Sequence, residues 1–124
     1  MNKQRPVYLS LTEFAWPITA IASILHRVTG VILFVGIAYL LWMLDLALRS
    51  AAGFADAQAV MSEPLPKLVM LAVLALLTYH VVAGIKHMLL DFHIGDSFEA
   101  ATASSIAVFI ISAILTAALG IWLW

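Results

Sequence analysis

The amino-acid sequence predicts an all-α protein that crosses a membrane with three helices. Of its 124 residues, 65% are hydrophobic and only 10% are charged, whereas soluble domains carry roughly 25% charged residues. A soluble fold of this length leaves much of its surface exposed and could not bury so many apolar side chains. The net charge of −1 gives no indication of nucleic-acid binding, and the absence of cysteine excludes thiolate-ligated metal clusters. We expect a single membrane domain over residues 1–124.

Three apolar stretches are long enough to span a bilayer, which takes about 20 residues of α-helix. The first covers about residues 17–48, and Pro17 suits a first helical turn, where its missing N–H is not needed. The second covers about residues 66–92, and the third, about residues 100–124, contains no charged side chain. The polar segment between the first two spans predicts a loop, with a short interfacial helix near residues 54–61 as an open alternative.

The distribution of lysine and arginine predicts the orientation, because basic residues are enriched on the cytoplasmic side. With three crossings, the side that holds the N-terminus carries four basic residues and the opposite side carries two: Lys3, Arg5, Arg27 and Lys86 against Arg49 and Lys67. This count predicts a cytoplasmic N-terminus and a C-terminus on the outer side.

Ionisable side chains inside the spans mark candidate functional positions, because burying them in lipid is costly. His80 interrupts an apolar run about 11 residues, or roughly 16 Å, from the predicted end of its helix. A neutral imidazole at that depth is either hydrogen-bonded to a neighbouring helix or ligates a metal such as heme iron. Only one histidine lies that deep, so a six-coordinate heme would need its second axial ligand from another chain.

The surroundings of His80 on its own helix form a regular pattern. His80, Gly84, His87 and Asp91 repeat at i, i+4, i+7 and i+11, which predicts that they share one helical face. Gly84 either leaves room for a flat macrocycle or allows close packing of a neighbouring helix. His87 and the adjacent Lys86 lie nearer the membrane surface, where heme propionates commonly meet cationic or donor groups.

The first helix carries its own polar cluster in Ser23, His26 and Arg27. Ser23 and Arg27 are four residues apart and share a face, where a hydroxyl and a cation could hold the carbonyl oxygen of a quinone. Alternatively, Arg27 extends to lipid phosphates at the interface. His26 points to another side of the helix and could meet a heme propionate.

Two strings of residues resemble the cytochrome b subunit of bacterial succinate dehydrogenase, the larger membrane anchor of respiratory complex II. Residues 23–30, Ser-Ile-Leu-His-Arg-Val-Thr-Gly, resemble that family's S-x-x-H-R-x-[ST]-G signature. Residues 80–91, His-Val-Val-Ala-Gly-Ile-Lys-His-Met-Leu-Leu-Asp, resemble its heme segment, H-x-x-x-G-[IL]-[RK]-H-[ML]-x-x-D. The pair Arg5-Pro6 is similar to the family's N-terminal Arg-Pro. The resemblance therefore covers nearly the whole chain.

The resemblance implies a multi-pass subunit of succinate:ubiquinone oxidoreductase in a bacterial inner membrane, which is not catalytic alone. Its expected partners are a flavoprotein, an iron–sulfur subunit and a second, smaller membrane anchor that shares one heme b. Electrons would pass from succinate to ubiquinone, linking the tricarboxylic acid cycle to the respiratory chain. Two alternatives stay open, namely the anchor of a fumarate reductase and a non-redox scaffold or small transporter subunit.

The resemblance also implies roles for individual residues. His80 would be one axial ligand of the heme iron, and the second anchor would supply the other. His26, Arg27 and His87 match residues that surround the heme propionates, and Gly84 lies beside them on the heme-binding face. Ser23 and Arg27 match positions of the ubiquinone site.

Overall fold

The computed structural model describes residues 10–13 and 15–124, and this part of the chain is built from four α-helices. They are α1 (Ile18–Leu48), α2 (Ala51–Ser62), α3 (Pro64–Asp91) and α4 (Phe98–Leu123). Helices α1, α3 and α4 are long and apolar enough to cross a membrane, which confirms the predicted all-α fold with three spans. Lys3, Arg5 and Pro6, which entered the predicted orientation and the resemblance, lie outside the described residues.

Helix α1 is longer than a single crossing requires. Its 31 residues extend about 46 Å, against a hydrocarbon core of about 30 Å. It begins directly after Pro17, whose carbonyl oxygen accepts hydrogen bonds from the backbone N–H groups of Ala20 (3.0 Å) and Ile21 (3.1 Å). At its other end Arg49 pairs with Asp45 on the exposed surface, with Nε 2.9 Å from Oδ2. This hydrogen bond raises the pKa of the Arg49 guanidinium above its ordinary value, so Arg49 is charged at every physiological pH.

Helix α2 occupies most of the segment that the sequence predicted as a loop. It begins three residues before the predicted interfacial helix, because the Ser50 hydroxyl caps it by accepting a hydrogen bond from the Gly53 N–H at 3.0 Å. Gly53 also lies against the end of α1, where an added Cβ would come within 2.5 Å of the Leu46 carbonyl oxygen. The sharp corner between α1 and α2 therefore requires glycine at this position.

The remaining helix ends follow local capping rules. Pro64 and Pro66 both fit in the first turn of α3, so α3 begins two residues earlier than predicted. After α3 the chain turns through two residues with positive φ, His93 (58°) and Gly95 (73°). The Ser97 hydroxyl then accepts a hydrogen bond from the Ala100 N–H at 3.2 Å, which starts α4 at Phe98 instead of residue 100.

The three long helices pack side by side in alternating directions. The Tyr39 hydroxyl donates to the Pro66 carbonyl oxygen at 3.2 Å near one end of the α1–α3 pair, and the Tyr79 hydroxyl donates to the Ala22 carbonyl oxygen at 2.9 Å near the other. Between them, a Cβ added to Gly36 would lie 3.2 Å from the Val73 side chain, so the two backbones approach closely.

The surface of the helix bundle is apolar, as expected for a protein surrounded by lipid. Phe34, Ile121 and Trp122 are at least 80% exposed, while several small or hydroxyl-bearing residues are buried between the helices. Ser105, for example, is fully buried, and its hydroxyl donates to the Ala101 carbonyl oxygen at 2.8 Å. Small interior residues and an apolar exterior are the arrangement found in transmembrane bundles.

Candidate functional site

Three histidine rings from α1 and α3 meet near one end of this helix pair, and we call them the histidine cluster. The ring of His26 stacks on that of His80 with centroids 4.2 Å apart and an angle of 15° between the planes. The ring of His26 also lies 4.9 Å from that of His87, tilted by 51°. One side chain of α1 thus contacts two successive turns of α3. The sequence placed only His80 deep in the membrane. In the structure the His26 ring differs from it in depth by at most the 4.2 Å that separates their centroids.

The stacking of His26 on His80 shows that these two residues are not opposite axial ligands of one iron. Opposite imidazoles with metal–nitrogen bonds of about 2 Å place their ring centroids roughly 6 Å apart, on either side of the metal. Here the rings lie face to face with centroids 4.2 Å apart. A six-coordinate heme at His80 would therefore need its second ligand from outside this pair.

The hydrogen bonds of His80 fix which ring nitrogen carries the proton. Its Nδ1 lies 3.1 Å from the His26 carbonyl oxygen and 3.2 Å from the Thr29 hydroxyl oxygen. A carbonyl oxygen can only accept, so Nδ1 is the donor. The Thr29 hydroxyl donates in turn to the His26 carbonyl oxygen at 2.9 Å, which leaves its oxygen free to accept from His80. Nε2 of His80 consequently carries the lone pair, which is the form of imidazole that ligates metals.

A groove of about 440 Å³ runs along the histidine cluster. Its lining residues are His26 from α1 and seven residues of α3: His80, Val81, Gly84, Ile85, His87, Met88 and Asp91. The four residues predicted to share one face of the second span all belong to this set. Because only two helices form the walls, a second molecule is needed to enclose anything that lies in the groove.

Gly84 lies where α1 comes closest to the groove floor. A Cβ at this position would be 3.4 Å from Nε2 of His26, at the short end of ordinary van der Waals contact. Gly84 therefore lies next to the His26 ring and also lines the groove, which agrees with both explanations left open by the sequence.

Ser23 and Arg27 lie on α1 beside the cluster but do not line the groove. Ser23 is half-buried and Arg27 is exposed, and neither side chain has a hydrogen bond or ion pair with any residue that the structure describes. Both polar groups are available to a ligand. Lys86 differs from expectation, because it lines a separate groove between α3 and α4 and points away from the histidine cluster.

Two residues at the cluster, Thr29 and Gly30, received no role from the sequence. Thr29 bridges His26 and His80 as described above. A Cβ added to Gly30 would lie 3.0 Å from Cε1 of His80, so only glycine leaves the ring its observed position. The available signal was their position in the string that contains His26, with Thr29 one helical turn after it.

The chemistry of the cluster fits a flat, ligand-bearing macrocycle better than a bare metal ion. No group of three histidine, cysteine or carboxylate side chains among the described residues is arranged to hold a metal ion. A heme needs only one protein nitrogen on each face, and Nε2 of His80, a residue that lines an open groove with largely apolar walls, could serve as one. Bundle interiors with inward-facing ligands are common sites for such cofactors.

Comparisons with known proteins agree with the all-α transmembrane fold. The family described as the succinate dehydrogenase/fumarate reductase transmembrane subunit matches residues 1–119. A Coxiella burnetii protein is 34% identical over 125 aligned positions that cover 100% of both chains. A Paracoccus denitrificans protein is 35% identical, covering 90% of this chain and 88% of the relative. A Rickettsia felis protein is 31% identical, covering 91% and 88% respectively. Each of these relatives is named as a succinate dehydrogenase cytochrome b556 subunit.

Proposed function

The chain belongs to the family of succinate dehydrogenase and fumarate reductase transmembrane subunits, and on this basis we propose that it is the membrane-anchoring cytochrome b subunit of a succinate:ubiquinone oxidoreductase. Its proposed partners are a flavoprotein, an iron–sulfur subunit and a second small membrane anchor. We place the complex in a bacterial inner membrane, with the N-terminus of this chain in the cytoplasm. The chain itself would contribute binding and electron transfer, while succinate is oxidised in the soluble subunits.

The observation that carries the proposal is that His80 lines an open groove while its hydrogen bonds engage Nδ1 and leave Nε2 without a partner among the residues that the structure describes. The Thr29 hydroxyl and the His26 carbonyl oxygen hold the proton on Nδ1, so Nε2 would be the nitrogen of this chain that holds heme b. Bound there, the heme supplies a one-electron carrier within the membrane. His26, Gly84 and His87 form the walls beside it.

The open side of the groove supports a shared heme. The stacked rings exclude His26 as the opposite ligand, and the walls come from α1 and α3 alone. The second axial ligand and the remaining walls would therefore come from the second anchor. A single chain of this kind holds half of a heme site.

Ser23 and Arg27 are the proposed contribution to ubiquinone binding. They lie one turn apart on α1, at the same end of the bundle as the histidine cluster, and both polar groups are available. A hydroxyl donor and a permanent cation suit the carbonyl oxygen of a quinone, which gains negative charge during reduction. Arg27, which is exposed, is also within the region where the heme propionates would lie.

The heme proposal is tested by comparing His80→Ala with His93→Ala in the complex co-expressed with its partners. His93 lies in the exposed turn after α3 and takes no part in the cluster. We expect His80→Ala to lose heme or change the reduced-minus-oxidised absorption spectrum, while His93→Ala keeps the wild-type spectrum and heme-to-flavin ratio. An unchanged spectrum in His80→Ala would show that His80 is not the ligand.

The quinone proposal is tested by Ser23→Ala and Arg27→Ala, with Arg49→Ala at the opposite end of α1 as the control. Losing a hydrogen bond to a charged group, worth about 1.5–3 kcal/mol, lowers succinate-dependent ubiquinone reduction by about tenfold or more. Reduction of an artificial dye, which accepts electrons before the membrane domain, should stay at the wild-type rate. Equal loss of both activities would contradict a specific quinone role and indicate defective assembly.

The direction of the reaction and the redox character itself are checked on the same preparation. The relatives are named for succinate oxidation, so we expect faster succinate-driven ubiquinone reduction than quinol-driven fumarate reduction. The opposite ratio would identify a fumarate reductase anchor. A complex that contains no heme would instead support a non-redox scaffold.

A further inference from the structure

Lys86 is an unusual residue for its position, because it is a lysine inside a membrane-spanning helix with only 7% of its surface exposed. It lines a groove of about 190 Å³ between α3 and α4. Successive residues of a helix are turned by about 100°, so Lys86 lies roughly 200° around α3 from Gly84, which lines the histidine groove. Lys86 therefore faces the opposite side of the helix from the histidine cluster.

The depth of Lys86 matches the headgroup region of a bilayer. Helix α3 has 28 residues, about 42 Å, which equals the full thickness of a bilayer of about 40–45 Å including its headgroups. Lys86 is five residues from the end at Asp91, about 7.5 Å along the helix axis. Its ammonium therefore lies near the boundary between headgroups and hydrocarbon, where lipid phosphates are found.

Lys86 has no counter-charge among the residues that the structure describes. No ion pair or hydrogen bond to its ammonium is present there. An isolated ammonium removed from water is strongly unfavourable, so a lysine in this position needs an anion. The Lys86 side chain is almost completely covered, but its ammonium is not among the fully buried, unpaired polar atoms of the described residues, so an anion at the bilayer surface can reach it.

The groove beside Lys86 has the shape and polarity of a lipid-binding surface. Apart from Lys86 and Ser104 its walls are apolar side chains of α3 and α4, and along α4 it extends from Ser104 to Ile111, about 10 Å. The Ser104 hydroxyl already donates to the Ala101 carbonyl oxygen at 3.0 Å. The groove therefore offers one cation near the membrane surface, followed by an apolar channel that leads towards the bilayer centre.

We propose that this groove binds one anionic phospholipid, with its phosphate at the Lys86 ammonium and an acyl chain along the apolar walls. A cation followed by an apolar channel is complementary to a phosphate followed by an acyl chain. The position on α3 also favours lipid over protein. Resting on the proposed function, the second anchor covers the histidine groove and leaves the groove between α3 and α4, where Lys86 lies, open to lipid.

The experiment uses the complete complex reconstituted in nanodiscs that contain equal amounts of phosphatidylglycerol and phosphatidylcholine. After transfer to mild detergent, native mass spectrometry counts the phospholipids that remain bound. We expect Lys86→Met to lose one phosphatidylglycerol relative to wild type. Lys67→Met is the matched control, because Lys67 lies at the other end of α3, over the ring of Trp124 at 5.2 Å, and its loss should leave the count unchanged.

A second variant, Ala107→Phe, fills the apolar part of the groove while keeping the lysine. It should also lose the bound phosphatidylglycerol, and it keeps the test valid if Lys86→Met fails to assemble. Equal phosphatidylglycerol retention in wild type and both variants would overturn the proposal, as would a structure of the complex with a carboxylate of a partner subunit at Lys86. Lipid retention is measured independently of heme and activity, so failure here is distinguishable from failure of the proposed function.

Discussion

Replacing Gly30 with alanine tests whether α1 positions the His80 ring. The added Cβ would lie 3.0 Å from Cε1 of His80, about 0.5 Å short of normal carbon–carbon contact at about 3.5 Å. The ring must therefore move away from α1. Its two hydrogen-bond acceptors, the His26 carbonyl oxygen at 3.1 Å and the Thr29 hydroxyl at 3.2 Å, both belong to α1. A shift of about 0.5 Å lengthens these bonds to roughly 3.6–3.7 Å, beyond the usual limit.

The expected effect of Gly30→Ala on stability is small, whereas its effect on the heme is large. Overpacking costs about 1–3 kcal/mol, and the gain in helix propensity from glycine to alanine returns about 1 kcal/mol. The net destabilisation is therefore at most about 2 kcal/mol, and the complex should still assemble. Because His80 is the proposed heme ligand, displacement of its ring should lower the heme content or change the midpoint potential and absorption spectrum.

The assay compares heme-to-flavin ratio, redox titration and thermal unfolding of the purified complex with those of Gly120→Ala. An added Cβ at Gly120 would meet Leu71 at 3.7 Å, an ordinary contact, so this control should keep the wild-type heme properties. If the two variants have the same spectrum and potential, the explanation of His80 positioning by Gly30 is wrong.

Three further substitutions test other contacts. Thr29→Val removes the hydroxyl that is hydrogen-bonded to the His26 carbonyl oxygen and to His80, so the heme midpoint potential should shift. Thr29→Ser keeps the hydroxyl and should keep the wild-type potential. Identical potentials in wild type and both variants would exclude the bridging role. Tyr79→Phe removes the hydrogen bond to the Ala22 carbonyl oxygen and should destabilise the α1–α3 pair by about 0.5–1.5 kcal/mol in thermal unfolding. An unfolding temperature equal to that of wild type would argue against a stabilising role of this contact. Gly53→Ala forces a Cβ against the Leu46 carbonyl oxygen and should increase the rate of backbone hydrogen exchange in α2. The control Ala52→Ser changes an exposed residue of the same helix and should leave the exchange rate unchanged. Wild-type protection in Gly53→Ala would mean that the corner between α1 and α2 does not need glycine.

The sequence predicted features that depend on one helix at a time. Hydropathy located the three spans, because each is a continuous apolar run of sufficient length. The 3.6-residue period placed His80, Gly84 and His87 on one face, and all three line the same groove. Helix ends were off by a few residues where a cap decided the boundary, as Ser97 does for α4.

Features that depend on how two helices meet could not be predicted. The stacking of His26 on His80 requires the antiparallel register of α1 and α3, which close contacts such as Gly36 with Val73 help to set far along the helices. The orientation of Lys86 towards α4 likewise depends on which neighbour occupies which side of α3. Periodicity defines a face, but it does not identify the helix that packs against it.

The two-helix walls of the histidine groove have a consequence for how a cell produces this chain. A copy with no second protein on that face would present imidazole nitrogens of the histidine cluster to lipid, where unsatisfied polar groups are costly. Surplus copies would therefore be poorly accommodated and exposed to removal by membrane quality control. The amount of this chain that a membrane can keep is then set by the supply of the protein that covers the groove, which favours matched synthesis of the two.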